Sequence, residues 1–416
     1  MKSSRRRVVV TGLGAVTPLG LTVADTWAGL VAGRSGVAHI TSFDASSYPV
    51  RIAGEVKGFD AANYINFKEA KRMARCSHLA VAAGLESMAD AGLGPLVPEP
   101  ERSGTVMGIG AGGWEVAMAG MEALRTKGVS RVSPFTLPAS IPNMPAHHIS
   151  LLFQCQGYSS TVATACAAGT QAIGEGTEVI RRGAADLVLA GGAEALLNEV
   201  SFAGFIAMRA LAADNDAPEK ACKPFDARHD GFVMSEGSAV FVLESLEHAL
   251  ARGARIYVEV IGYAACTDAF HVAQPDPEGH GAARTIRWAI ENAGIAPQEI
   301  DCINSHGPGT PLGDIAETKA IKAVLGDHAY RTPVHSTKSM IGHAFGGAGA
   351  IESMVCVKTI CEGIIHPTIN LEVPDPECDL DYVPNQARRA DVRTVLTDSF
   401  GLGGQNACVI FRRYEA

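Results

Sequence analysis

A layered α/β fold, with helices covering the faces of its sheets, is the fold class that this sequence predicts. Strand-like and helical runs alternate along the whole chain, and no Pro/Ser-rich linker interrupts them. The 416 residues, of which 47% are hydrophobic and 19% charged, are enough to bury a large core in two domains or in one large α/β unit. The 45 glycines lie in short patches, which indicates tight turns rather than disorder.

The elements of the N-terminal part follow from these runs in order. "RRVVVTG" predicts a first strand with a helix near residues 22–32, and "RSGTVMGIG" predicts a strand with a helix near 114–126. The β-branched run over 158–164 predicts a strand, and 167–182 predict a helix that ends in two arginines before Gly183. The strand "ADLVLAGGAEA" and the strand-to-helix run "GSAVFVLESLEHALARG" complete this part.

The elements of the C-terminal part continue the alternation. After the strand "ARIYVEVIGYA" come a helix near 280–293, the strand "IDCINSHG", a helix over about 314–325 and the strand "TPVHST". A Gly-rich helical stretch over 345–361 precedes a last strand pair, "RTVLTDSFG" and "NACVIFRRY". The second strand series starts after a helix end, which predicts domains at 1–253 and 254–416. No internal repeat is strong enough to be asserted from the sequence.

Composition and charge exclude several classes of protein. A formal net charge of −9 argues against a general nucleic-acid binder. The basic start "MKSSRRR" is not followed by the apolar region of a signal peptide, and no apolar run approaches the roughly 18 residues that a membrane span needs. The ten cysteines show no CxxC and no zinc spacing, so we expect no metal, reduced thiols and a cytoplasmic location.

One cysteine, Cys166 in "TVATACAAGTQ", lies where a predicted strand turns into a helix. The dipole and free N–H groups of a helix N-terminus favour a thiolate and can hold the oxyanion that forms when sulfur attacks a carbonyl. The small neighbours Ala165, Ala167, Ala168 and Gly169 leave room for a substrate. The alternative is a small buried thiol, the usual state of a cysteine, but the context favours a nucleophile.

Two histidines lie in similar settings. His306 in "NSHGPGTPLGD" and His343 in "STKSMIGHAFGGAGA" each follow a predicted strand and precede a Gly-rich turn. Either one alone is ordinarily a buried structural histidine, but two at strand ends beside an activated cysteine fit acyl transfer better. Lys338 is a candidate catalytic cation, with a structural salt bridge equally compatible, and Glu317 is its candidate partner.

The glycine patch "GIGAGG" over residues 108–113 satisfies the GxGxxG pattern of a dinucleotide site and follows a strand. The segment about 20 residues further on, "LRTKGVSRVSP", has no acidic residue for a ribose. A tight strand-to-helix turn is therefore the better interpretation, and a nicotinamide-dependent oxidoreductase remains a minor alternative.

Four motifs in the same order give this chain a family resemblance. "TACAAG", "HGPGTPLGD", "STKSMIGHAFGGAGA" and "SFGLGGQNA" together resemble the β-ketoacyl-acyl carrier protein synthases of the type II condensing-enzyme class. The similarity runs from "RRVVVTGLGAVTPLG" to "NACVIFRR", essentially the whole chain. It implies a thiolase-like fold with two related αβαβα halves, which works as a dimer.

The resemblance also implies a mechanism without metal or organic cofactor. Cys166 matches the residue that takes an acyl group from acyl carrier protein, with an oxyanion hole made by backbone N–H groups near it and in the "GLGG" loop. His306 and His343 match the pair whose donors stabilise the enolate formed when malonyl-carrier protein loses CO₂. Lys338 matches the supporting lysine, and Glu317 its usual partner.

Basic residues of the chain match the family's carrier-docking positions. Lys68, Lys71 and Arg72 lie in "NFKEAKRMARC", and Arg209 lies in "MRALA". On an acidic protein such a patch can steer an acidic carrier protein, although an ordinary solvated helix face explains the charges equally well.

The sequence departs from the family at the substrate-binding positions. Pro308 replaces the first threonine of the usual HGTxT and removes a hydroxyl and an N–H, while Thr310 retains the second. Leu402 replaces the usual gate phenylalanine, although Phe400 before it is kept.

Two further departures concern the expected acyl pocket. Ala111 and Thr136 stand where the fatty-acid enzymes often carry isoleucine and phenylalanine, so both exchanges remove side-chain volume. We expect a roomier channel and a role in specialised polyketide or polyene synthesis rather than in housekeeping fatty-acid elongation, unless neighbouring residues compensate. The second function class is a ketosynthase subunit that is active only beside a chain-length-factor homologue; such homologues lack the cysteine that this chain retains.

Overall fold

Ten strands form one continuous mixed sheet in the computed structural model, which describes residues 5–415. In chain order the strands of this sheet are β1 (Val8–Val16), β2 (Ser103–Gly108), β3 (Ser159–Val162), β4 (Leu187–Ala195), β5 (Glu236–Ser245), β6 (Val258–Thr267), β7 (Cys302–Asn304), β8 (Val334–His335), β9 (Thr394–Gly401) and β10 (Gln405–Arg413). Two short ribbons lie outside it, Ala38–His39 with Ile52–Ala53 and Ile364–Ile365 with Arg388–Arg389.

The sheet is duplicated. Its strand order is β8-β7-β9-β10-β6-β1-β5-β4-β2-β3, so the last five strands repeat the arrangement of the first five. In each half the second strand runs parallel to the third and fourth, and the fifth pairs antiparallel with the fourth and the first. The halves join through β1 and β6, where Val9 pairs with Glu259 and Val10 with Val258. The predicted duplicated α/β fold is confirmed.

Apart from short 3₁₀ turns, α-helices account for the remaining regular structure of the described residues. They are α1 (Val23–Val31), α2 (Phe67–Ala70), α3 (Arg75–Asp90), α4 (Trp114–Lys127), α5 (Thr136–Ser140), α6 (Met144–Phe153), α7 (Ala168–Arg181), α8 (Glu199–Ala207), α9 (Leu246–Ala251), α10 (His280–Ala293), α11 (Pro311–Leu325), α12 (Lys338–Ile341) and α13 (Ala348–Glu362). The first half of the duplicated fold ends with α9, and the second half begins with β6. We propose that the domain boundary at residues 253 and 254 lies between them.

Three helical layers alternate with the two halves of the sheet. α3 and α6 pack with the first half in one apolar cluster, and α10 and α11 pack with the second half in another. α7 and α13 lie between the halves, because Ile173 and Met354 share a cluster with strand residues from both. The two central helices therefore begin where strands of both halves end, and the candidate site lies at these ends.

The two central helices also resemble each other at their N-termini. The 3₁₀ turn Ala165–Ala167 precedes α7, and the 3₁₀ turn Phe345–Gly347 precedes α13. The predicted helix over 167–182 is observed within one residue of its predicted bounds. Between residues 5 and 415, no helix combines the length and the apolarity that a membrane span requires.

Candidate active site

One cavity, of about 570 Å³, collects the three residues proposed for the chemistry. Cys166, His306 and His343 all line it, whereas Lys338 is fully buried behind the wall. The other sequence-predicted residues that line it are Thr310, Glu317, Phe400, Leu402 and Arg209. The fold therefore brings the end of the β3 segment together with the ends of β7 and β9 and the start of α13.

Cys166 lies on the turn between β3 and α7, as the sequence predicts. The preceding Ala165 has φ 49°, a left-handed conformation that costs a residue other than glycine about 1–2 kcal/mol. Such strain persists where the surroundings hold it, and here Gly401 packs so closely that a Cβ on it would lie 3.3 Å from the Cys166 nitrogen. The side chain is buried yet lines the cavity, so a substrate in the cavity reaches the sulfur.

The resting thiol is protonated, which corrects the expectation of an ionised one. Burial raises the pKa of Cys166 to about 11, although the backbone N–H of Leu402 and the charge of Lys338 act in the opposite direction. The helix terminus is thus outweighed by desolvation, because a thiolate without water is costly. The backbone N–H groups of Leu402 and of Cys166 itself lower the pKa of the thiol, so they favour negative charge that develops during attack.

The two cavity histidines face each other. The ring centroids of His306 and His343 lie 5.3 Å apart, with the rings at 84°. His343 Nδ1 accepts a hydrogen bond of 3.3 Å from the Phe345 N–H, so the proton of the neutral ring lies on Nε2. Burial, reinforced by the charge of Lys338, holds the pKa of both imidazoles well below 6.5. Both rings are therefore neutral hydrogen-bond donors.

Lys338 contacts His306 on the side of the ring that faces the protein interior. Its Nζ lies 3.3 Å from His306 Nδ1 and donates a 2.6 Å hydrogen bond to the His306 carbonyl oxygen. Because an ammonium has only donors, His306 Nδ1 is the acceptor and Nε2 carries the proton. Lys338 forms its ion pair with Glu352 of α13. The expected pairing of Lys338 with Glu317 is therefore wrong.

Glu317 supports the site through the backbone instead. Its carboxyl accepts hydrogen bonds of 2.7 Å from the His306 and Gly307 N–H groups, and Asp398 of β9 accepts from the same His306 N–H at 2.9 Å. Burial and the neighbouring Asp398 raise the pKa of Glu317 well above 4.5, and burial raises that of Asp398 to about 6. Two buried carboxylates in contact cannot both ionise, so the pair shares a proton.

The backbone N–H groups of the glycine patch bind the carboxylate of the buried Glu194. Glu194 accepts hydrogen bonds from the N–H groups of Gly110 (2.6 Å), Ala111 (3.2 Å) and Gly112 (3.2 Å), and from Gly346 (3.3 Å). A Cβ on Gly110 would lie 2.4 Å from Glu194 Oε2, which explains the glycine. These amides are the donors that a dinucleotide phosphate needs, and they are already engaged. The oxidoreductase alternative therefore has no structural support.

Some of the predicted binding residues line the cavity, and others do not. Thr310 precedes the first residue of α11, and Arg209, exposed and with φ 54°, lies at the cavity mouth. Two residues of the expected acyl pocket, Ala111 and Thr136, do not line the cavity.

The three basic residues of the docking segment are exposed but also lie outside the cavity lining. Arg72 pairs with Glu69 at 3.1 Å, and Lys71 lies 4.1 Å from the centre of the Phe67 ring. Lys68 is exposed on α2.

Sequence reasoning missed three buried acids of the site: Glu194, Glu352 and Asp398. Each is an isolated charge within an apolar run, in "LVLAGGAEA", "AGAIESMVCV" and "TVLTDSF". A charge in a buried strand or helix is tolerated only when it is paired or hydrogen-bonded, so this pattern was the available signal.

The fold and the site together define a class of enzyme that transfers acyl groups through a cysteine. The family descriptions "Beta-ketoacyl synthase, N-terminal domain" and "Beta-ketoacyl synthase, C-terminal domain" match residues 5–249 and 257–372. The chain belongs to the β-ketoacyl synthase family.

Similar proteins agree with this membership. A 3-oxoacyl-[acyl-carrier-protein] synthase 2 from Synechocystis sp. is 48% identical over 411 residues, 99% of each chain. Among solved structures, the ishigamide ketosynthase/chain length factor is 38% identical with a TM-score of 0.91, covering 99% of this chain and 100% of that chain. A type II polyketide synthase acyl-carrier protein in complex with its ketosynthase bound to the hexaketide is 35% identical with a TM-score of 0.89 and the same coverage.

Proposed function

We propose that this chain condenses an acyl group held on Cys166 with malonyl-acyl carrier protein, releasing CO₂ and β-ketoacyl-acyl carrier protein. The observation that carries the proposal is one cavity lined by a cysteine at a strained helix entry and by two neutral imidazoles. We infer no need for a metal or organic cofactor, because sulfur, N–H donors and the substrates supply every step. The cytoplasmic location remains a prediction from the cysteine pattern.

The first half-reaction moves the acyl group from the pantetheine thiol to Cys166. Sulfur attacks the thioester carbonyl, and the backbone N–H groups of Cys166 and Leu402 stabilise the oxyanion. The proton that leaves the Cys166 thiol ends on the departing pantetheine sulfur, so the exchange is neutral overall. Because the pKa of the resting thiol is about 11, only a small fraction of Cys166 is ionised at neutral pH before the acyl carrier binds.

The second half-reaction forms the carbon–carbon bond. The malonyl carboxylate leaves as CO₂, and the electron pair of the broken bond forms an enolate on the thioester. The Nε2–H groups of His306 and His343 donate hydrogen bonds to the enolate oxygen. Because both rings are neutral with the proton on Nε2, these donors are in place before the negative charge develops. The enolate carbon attacks the acyl group, and the Cys166 thiolate leaves and takes one proton from solvent, which balances the carboxylate charge lost as CO₂.

A second subunit and a carrier protein are the partners we propose. β3 ends the sheet, and its outer edge has no strand partner among residues 5–415. Large apolar side chains are exposed nearby in sequence, on or beside α4 and α5: Trp114, Met121, Leu124, Phe135 and Leu137. An open edge with exposed apolar groups is typical of an interface. We propose that Lys68, Lys71, Arg72 and Arg209 receive the acidic carrier.

We propose a heterodimer as the second candidate, because the chain is similar to the structure described as the ishigamide ketosynthase/chain length factor. The two candidates differ in what the chain does alone. Purified alone, a homodimeric enzyme shows twice the chain mass and condenses its substrates; a dependent subunit shows little activity until the homologue is added.

We also propose specialised polyketide or polyene synthesis, because Ala111 and Thr136 are small. If Ala111→Ile leaves the acyl chain-length preference unchanged, this pathway proposal fails.

The test of the reaction is to mix the chain with acyl- and malonyl-carrier protein and to weigh the carrier products. We expect the β-ketoacyl-carrier mass from the native chain and none from Cys166→Ala. Carrier masses that do not change with the native chain, alone or with a chain-length-factor homologue, contradict the proposal.

A further inference from the structure

The Phe345 side chain lies between the reacting groups of the cavity and the apolar interior of the protein. It lines the cavity with Cys166 and His343, and it belongs to the same apolar cluster as Cys166. Its ring stacks on the His343 ring, with centroids 4.9 Å apart and planes at 21°. It also stacks on Phe205 at 5.3 Å and meets the edge of Phe232 at 5.8 Å. The ring is thus fixed on three sides.

The backbone of Phe345 is strained. Its φ is 45°, in the left-handed region that a residue other than glycine rarely adopts. The next two residues are glycines, the residue type that adopts this conformation without strain, yet the positive φ falls on Phe345. Such a conformation persists only where the surroundings hold it, and Ala165, which starts the matching turn before α7, shares it with φ 49°.

Phe345 borders both the cavity and the apolar cluster against which Ala111 packs. Gly346, the next residue, abuts the loop of the glycine patch, because a Cβ on Gly346 would lie 2.4 Å from the Gly110 nitrogen. Ala111, the next residue of that loop, packs against the same apolar cluster but does not line the cavity. Phe345 therefore stands between the space around Cys166 and the space next to Ala111, the expected acyl pocket.

We propose that Phe345, backed by Phe205, is the specificity-determining residue that limits the length of saturated acyl chain accepted by Cys166. This inference rests on the proposed function. A short acyl group fits in front of the ring, whereas a longer flexible chain has to displace a ring held by three aromatic contacts. The small size of Ala111 then becomes useful only after Phe345 has moved.

The experiment measures loading of Cys166 by intact mass, using saturated acyl-carrier proteins of increasing chain length. We compare the native chain with Phe345→Leu, which keeps an apolar side chain but removes the ring. The matched control is Phe153→Leu, because Phe153 is fully buried in the cluster of α3 and α6, away from the cavity. Phe205→Leu is the second variant, since it loosens the support of Phe345 without touching its backbone.

We expect the ratio of long-chain to short-chain loading to rise about tenfold or more in Phe345→Leu, the scale on which a pocket discriminates one or two methylenes. Phe205→Leu shifts the ratio in the same direction by less, and Phe153→Leu leaves it unchanged. An unaltered ratio in Phe345→Leu overturns the proposal, and if that variant does not fold, an unaltered ratio in Phe205→Leu does so. A native chain that loads no acyl group contradicts the proposed function instead.

Discussion

Lys338 Nζ lies 3.3 Å from His306 Nδ1 and donates to the carbonyl oxygen of the same residue. This contact fixes the His306 tautomer, because a donor on Nδ1 leaves the proton of the neutral ring on Nε2. Burial, reinforced by the lysine charge, lowers the pKa of His306 and His343, so that both rings stay neutral at physiological pH. Lys338 therefore acts through the histidines as a positioning residue.

The first prediction separates the charge of Lys338 from its structural role. Lys338→Met leaves Glu352 buried without its ion pair, which costs about 3–5 kcal/mol of unfolding free energy. It also removes the support of His306, and we expect malonyl decarboxylation to fall about 10²-fold or more. The double variant Lys338→Met/Glu352→Gln restores much of the stability, measured by thermal unfolding, but not the decarboxylation rate. Restored decarboxylation in the double variant contradicts a role for the lysine charge at His306.

The second prediction concerns the protonation of Cys166. Because burial raises its pKa to about 11, the thiolate fraction grows tenfold per pH unit up to about pH 10. Alkylation of Cys166 by iodoacetamide, followed by peptide mass mapping, is expected to accelerate in this way from pH 7 to 9.5. Free cysteine, treated in parallel, levels off above its ordinary pKa of about 8.5. A plateau for Cys166 below pH 7.5 indicates a resting thiolate and contradicts the structure.

The third prediction tests the backbone donor of Leu402. Leu402→Pro removes an N–H that favours negative charge at Cys166, and loss of one oxyanion donor costs about 10²–10³-fold in rate. Leu402→Ala keeps the N–H and is the matched control for the side chain. We expect the rate of acyl loading to fall by that factor only in the proline variant, with circular dichroism showing that both variants are folded. Equal loading rates in the two variants remove Leu402 from the oxyanion hole.

The fourth prediction concerns Glu194 and pH. Burial raises the pKa of its carboxyl to about 7, from an ordinary 4.5. Between these values the unfolded chain releases the proton and the folded chain keeps it, so the stability from this group is present below pH 4.5 and lost as pH rises through 7.

The side chain in Glu194→Gln cannot titrate. Its NH₂ group faces backbone N–H groups that donate to carboxylate oxygens in the native chain, so two sets of donors meet. We expect this variant to unfold at a lower temperature throughout, with a smaller decrease between pH 5 and 7.5 than the native chain shows. An equal or larger decrease in the variant means that Glu194 is not the group responsible.

The local setting of the catalytic candidates could be predicted from sequence, because a strand, a turn of small residues and a helix follow one another at Cys166. The placement of His306 and His343 after strands is equally local. What brings them to one cavity is the duplication, which only the family resemblance implied, because the two halves share strand order and no internal repeat is evident in the sequence. The pairing through Val9 and Val10 joins them only in three dimensions.

The partner of Lys338 and the state of the thiol could not be predicted from the sequence. Glu317 and Glu352 both lie on helices that begin near the cavity, and spacing does not tell which one reaches the lysine. The pKa of Cys166 depends on how completely the surrounding chain excludes water, which is a tertiary property. Its helix position alone predicted the opposite shift.

The mass of the intact protein after incubation with acyl-carrier protein tests the central claim most directly. The account predicts one added acyl group per chain, located on Cys166 by peptide mapping, absent in Cys166→Ala and discharged when malonyl-carrier protein is added. An acyl group that persists in Cys166→Ala, or one found on another residue, contradicts the account.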